Sequence, residues 1–220
     1  MRMEELIERL RGATIGATFN FYRDGERAAL RCERLLAYLR DRQDAPLLLV
    51  GEAPGYRGAR VSGIPFTSER QLTGTGPAEA TATIVHRVLA ELEIEKDVLL
   101  WNVVPTHPGT ETSNRRPTRS EVEAGLPFLA ELARGRRSIA VGRLAHSVVG
   151  GPYVRHPSHG GGAEFRLMVE CVGANASSRP ERASSVASAA RRRSACRAEY
   201  GSNKERPSCE GRSKSLDPAS

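Results

Sequence analysis

The chain has no apolar run near the ~18 residues needed to span a bilayer. Its charged opening, MRMEELIERL, reads as the start of a helix and not as a signal peptide. We therefore expect a cytoplasmic protein with no membrane partner. The four cysteines, Cys32, Cys171, Cys196 and Cys209, form no C-x-x-C pair. A disulfide framework is not expected in a cytosolic chain, and the spacing argues against a four-cysteine iron–sulfur cluster. His156 and His159 lie three apart but have no third ligand spaced with them, so no metal is expected. No G-x-x-x-x-G-K-[ST] loop occurs, which excludes a nucleotide P-loop. A metal-dependent nucleotide hydrolase would need acidic residues clustered at strand ends, and only Glu52 qualifies. No cofactor is expected.

What the chain does have is enough material for one core: 220 residues, 39% hydrophobic and 27% charged. The formal charge is +7, but +5 of it falls in residues 174–220 and only +2 in residues 1–173. A surface for a polyanion must then be a local patch. Residues 174–220 are rich in Ser and Arg and nearly devoid of Leu, Ile and Phe. Such text cannot bury enough apolar area to offset chain entropy. We expect a folded domain over 1–173 and a tail over 174–220 that is disordered or the product of a reading-frame slip.

Apolar periodicity predicts helices over 3–11 and 24–40, with Cys32 in the apolar stripe of the second. Residues 46–50 and 98–104 are short continuous apolar runs, the pattern of buried parallel strands. A Gly- and Pro-rich loop follows the first, up to a helix opened by Pro77 and ending near Leu92. Thr118 and Glu121 form a capping box for a helix over 119–134, which Pro127 should kink. Strands over 137–142 and 153–156 flank a short helix, Arg143–Val149. Helices alternating with strands predict an α/β fold: a three-layer α/β/α arrangement around a central, mostly parallel four-stranded sheet. Ligands of such sheets sit beyond the carboxyl ends of the strands, where the most unusual polar stretches of this chain fall.

Four of those stretches carry chemistry. Gly51-Glu52-Ala53-Pro54-Gly55-Tyr56-Arg57-Gly58 is a tight turn with a carboxylate at its lip. Glu52 can orient or deprotonate a water, or the stretch is a plain turn with a solvated Glu. Gly63-Ile64-Pro65-Phe66 puts an aromatic in a polar loop, either exposed to stack on a base or pinned into the core. Asn102 interrupts an apolar strand. Its amide can read a pyrimidine edge, or it satisfies backbone. His156 is held extended by Pro157 and can donate to developing negative charge, or it is merely solvated.

Together, and in this order, these stretches resemble the uracil-DNA glycosylase superfamily, nearest its family four type. GEAPG, GIPF, WNVV, Asn114-Arg115-Arg116-Pro117-Thr118, Ile139–Ala145 and His156-Pro157-Ser158 carry the resemblance over about residues 45–161. It implies an enzyme that flips uracil out of DNA and hydrolyses its N-glycosidic bond. Glu52 and His156 would be catalytic. Gly51, Ala53, Pro54, Gly55, Tyr56, Phe66 and Asn102 would hold the base. Pro157, Ser158, His159 and Gly160 would enter the minor groove, with Arg57, Arg115 and Arg116 on the DNA. No Lys is placed for a Schiff base with the sugar, so water is the expected nucleophile. The expected partner is uracil-containing DNA, bound by a monomer.

The chain also departs from the pattern. Ala53 stands where the best-known branch has an Asp, and Gly55 where it has a thymine-excluding Tyr, a task left to Tyr56. The cluster cysteines of family four are missing, as is the Lys-Arg-Arg-Ile-His loop of a DNA-trapping branch. The competing reading is a noncatalytic nucleic-acid-binding relative.

Overall fold

The structure is a computed structural model. It describes residues 2–176, apart from the side chains of His159 and of 173–176, and the expected tail lies outside the described residues from 177 on. Four parallel strands form one sheet: β1 (Leu47–Gly51), β2 (Val98–Asn102), β3 (Arg137–Val141) and β4 (Tyr153–Val154), in the order β2-β1-β3-β4. This is the expected parallel α/β sheet. Successive residues of β1 point to opposite faces, so both faces need cover. Leu48, Val50, Leu99 and Trp101 pack on one face with α1 (Met3–Gly12), α2 (Ala28–Asp41), α6 (Arg119–Ala133) and α7 (Arg143–Val149). Leu47, Leu49, Val98 and Leu100 pack on the other with α5 (Ala80–Glu91) and α8 (Gly162–Ala176). Burying each such side chain contributes roughly 1.5–3 kcal/mol.

Several expectations shift at their edges. Helix α2 begins at Ala28, and β2 and β4 end at Asn102 and Val154. Backbone pairing nonetheless continues past β2, with the Val103 and Val104 amides donating to the Gly51 and Glu52 carbonyls. Helix α5 opens at Ala80 with Glu79 as its N-cap, while the Pro77 carbonyl accepts from Arg70 N–H. Helix α6 carries the expected capping box and is continuous through Pro127. The loop after β1 holds two short helices that periodicity is too brief to reveal, α3 (Ala59–Ser62) and α4 (Glu69–Thr73). Helix α8 was not anticipated either, although Phe165, Val169 and Val172 recur at helical spacing and are buried. It runs past the expected boundary at residue 173 to Ala176. Among the described residues no helix is long and apolar enough to cross a membrane.

Strand β1 connects to β2 on one side and β3 lies on its other side, so the chain reverses its winding direction at β1. The crevice beyond the carboxyl end of β1 is where such a sheet binds its ligand.

Candidate active site

Three predicted residues meet at that point. Gly51 closes β1 and pairs with Asn102, which closes β2. A β-carbon on Gly51 would overlap the ring of Phe66 and stand 2.6 Å from Asn102 Oδ1. Glycine is therefore required here for close approach, and an aromatic ring and a carboxamide converge on its Cα. Asn102 is 4% exposed and makes no side-chain hydrogen bond to any described residue. An amide with so little exposure and no protein partner can pair with a ligand or with water. Phe66 is 8% exposed, so it is not the exposed aromatic that one reading of the sequence allowed. It sits at φ 53°, a left-handed conformation that costs about 1 kcal/mol or more. Its neighbours hold it there: Thr67 Oγ1 donates to Pro65 O at 3.1 Å and lies 2.9 Å from His86 Nε2.

The turn after Gly51 is held from outside. Glu52 is half-buried. Burial raises its carboxyl above the ordinary range, and the nearby Arg116 guanidinium works against that rise. Ala53 packs against the core. Pro54 is buried, and its carbonyl oxygen lies 2.8 Å from His107 Nδ1. His107 is fully buried, and its Nε2 lies 2.8 Å from Thr110 O. The Tyr56 amide donates to Asn114 Oδ1 at 2.9 Å. The loop beyond β2 thus grips the turn beyond β1 at two points. Arg57 stacks over the Tyr56 ring. Gly55 and Gly58 face the carboxyl of Glu79.

At the end of β4, His156 has φ −58° and ψ 124°, the extended form that Pro157 imposes. Its Nδ1 lies 2.8 Å from Ser158 Oγ. Residues 157–159 form a single turn packed against α5 and α8. Gly160 follows in the left-handed conformation with open space around it. Of the three arginines expected on DNA, Arg57 and Arg116 are exposed. Arg115 is exposed as well, and its guanidinium donates to Glu121 through bonds of 2.8 and 2.6 Å.

Sequence reasoning missed His107, Asn114, Glu79 and His86. Asn114 belonged to a recognised motif but had no assigned role. The others act across 19 to 53 residues of chain, and no local pattern announces such contacts. Among the described residues no group of three or more His, Cys, Asp or Glu is placed to share a metal ion. A four-cysteine cluster does not fit the described cysteines. Cys32 is a free thiol that donates to Tyr22 O at 3.2 Å.

Residues 39–193 match the family model of the Uracil DNA glycosylase superfamily. A curated relative, the Type-4 uracil-DNA glycosylase of Pyrobaculum aerophilum, is 33% identical over 103 residues. That match covers 45% of this chain and 45% of the relative, so it spans less than half of either. The crystal structure of wild-type Pedobacter heparinus SMUG2 superposes with a TM-score of 0.56 at 12% identity. It covers 80% of this chain and 98% of that one, a likeness of fold.

Proposed function

The chain belongs to the uracil DNA glycosylase superfamily, and from that membership we propose that it flips uracil out of DNA and hydrolyses its N-glycosidic bond, leaving an abasic site. The observation that carries this reading is the convergence of the Asn102 amide and the Phe66 ring on Gly51 at the winding reversal of the sheet. A base seated there would lie against the ring, with its edge on the amide. Asn102 donates to O4 and accepts from N3–H, a pattern that uracil matches and cytosine reverses. Glu52 takes a proton from water as the water oxygen bonds to C1′. The C1′–N1 bond breaks, and its electron pair leaves with uracil. His156 donates to O2, where the negative charge gathers. Pro157, Ser158, His159 and Gly160 hold the extruded nucleotide from the minor groove, and Tyr56 excludes the thymine methyl. Arg57 and Arg116 meet phosphates. The protein acts as a monomer on uracil-containing DNA.

The test is release of uracil from a labelled oligonucleotide, read as strand breakage after alkali. We expect cleavage at uracil and none at thymine or cytosine in the same position. Substituting His156→Ala should slow single-turnover excision by roughly ten- to a thousand-fold, the range for loss of one such donor, and leave DNA affinity nearly unchanged. An unchanged single-turnover rate would remove His156 from the reaction.

A further inference from the structure

Glu79 has no assigned part in the chemistry above, yet its carboxyl occupies the turn that carries that chemistry. Glu79 precedes α5 in extended backbone. Its two oxygens lie where β-carbons on Gly55 and Gly58 would fall, one oxygen at each glycine. For Gly55 the three nearest atoms to such a carbon all belong to this one carboxyl group, with Cδ at 3.0 Å. The carboxyl thus lies across two glycine Cα faces, in reach of weak C–H donors. It makes no side-chain hydrogen bond or ion pair with any described residue. Burial alone raises its pKa, whereas the burial of Glu52 is opposed by Arg116. A half-buried carboxyl without a protein partner costs stability, and groups kept in that state gather at functional sites.

We propose that Glu79 is the positioning residue of the catalytic turn: its carboxyl, wedged against the Cα faces of Gly55 and Gly58, sets where Glu52 and Tyr56 stand. The wedge explains both glycines, since a methyl at Gly55 would displace the carboxyl. A shift of about 1 Å in a reacting group costs on the order of a hundredfold in rate. The kinetic part of this proposal rests on the glycosylase reading, and the structural part does not.

The experiment compares Glu79→Ala, Glu79→Gln, Gly55→Ala and the Gly55→Ala/Glu79→Ala double variant. Two quantities are read: single-turnover uracil excision alongside DNA affinity, and amide hydrogen exchange in residues 51–58. We expect Glu79→Ala and Gly55→Ala each to slow excision by about tenfold or more, with affinity within about threefold of wild type. The double variant should be no slower than the slower single one, because both changes remove the same contact. Glu79→Gln keeps the shape and should stay within about threefold of wild type. Exchange in the turn should quicken in the same three variants and not in Glu79→Gln. Wild-type rate and exchange in Glu79→Ala, or losses that multiply in the double variant, would overturn the proposal. If the wild-type protein releases no uracil, the glycosylase reading falls, and the exchange pattern alone decides the wedge.

Discussion

A general base works best with a pKa near the working pH. Burial pushes the Glu52 carboxyl toward that range, and the Arg116 guanidinium draws it back. In the proposed reaction Glu52 must be ionised to accept a proton, so excision should rise with pH as it loses its own. Replacing Arg116 by Ala removes the opposing influence and raises the Glu52 pKa further. The acid limb of the rate profile should then move to higher pH, with a larger loss at pH 6 than at pH 8. A limb that stays in place, or moves to lower pH, would show that Arg116 does not tune this carboxyl. At this scale the placement of the candidate residues was legible. Glu52, Asn102 and His156 are polar residues at the ends of apolar strands, where a parallel sheet presents ligand-binding groups. The setting of Phe66 was not legible, because its burial and its φ of 53° depend on His86 and Thr67 nineteen residues apart. His107 was hidden for the same reason, since its role is a contact to Pro54 across 53 residues.

The element that fixes the second loop is α6. Its first turn holds Glu121, 1% exposed, which accepts from Arg115, from the Thr118 amide and from the Ala17 amide. The Arg115 guanidinium, aided by the two amides, holds this carboxyl down at about 2. A depressed pKa stabilises the fold above the ordinary carboxylate range, and that contribution is lost as pH falls toward 2. Glu121→Gln should therefore lower the melting temperature at pH 7 by roughly 6–12 °C, given about 3 kcal/mol for breaking a buried pair and about 2–4 °C per kcal/mol. The difference from wild type should shrink steadily between pH 5 and pH 2. A difference independent of pH would mean that packing and not charge carries the effect. The capping box that starts this helix could be read from Thr118 and Glu121, but the pairing of Glu121 with Arg115 could not. The sequence expects both Arg115 and Arg116 on DNA, and only the loop geometry reveals that Arg115 also pairs with Glu121. The strands were legible as unbroken apolar runs. Helices α3 and α4 were not, because each is about one turn long.

Across the whole molecule the arginines divide by location. Arg27 and Arg34 are tied to Glu69, and Arg115 to Glu121. Arg57, Arg116, Arg143 and Arg155 each follow a different strand, lie at its carboxyl end and are exposed. None of the four pairs at ion-pair distance with a carboxylate among the described residues. These four exposed arginines, of which Arg57 stacks on Tyr56, would suit a phosphate backbone running along that edge. Removing Arg143 and Arg155 together should lower the slope of log affinity against log salt by about 1.8 on duplex DNA, near 0.9 per phosphate contact. Arg134→Ala, an exposed arginine just before β3 at the opposite edge, should leave the slope unchanged. Equal effects at both edges would mean that binding follows net charge and not this surface. The reading as a whole stands on Asn102, the amide at the end of β2 that would recognise the base. The most direct measurement is single-turnover product release from matched uracil and cytosine oligonucleotides by the wild-type protein and by Asn102→Asp. The carboxylate keeps the shape but loses the donor to O4, at a cost of about 1–3 kcal/mol. We predict that the wild type releases uracil and not cytosine, and that Asn102→Asp releases uracil about ten- to a hundredfold more slowly. Release of uracil by Asn102→Asp at the wild-type rate would contradict the account.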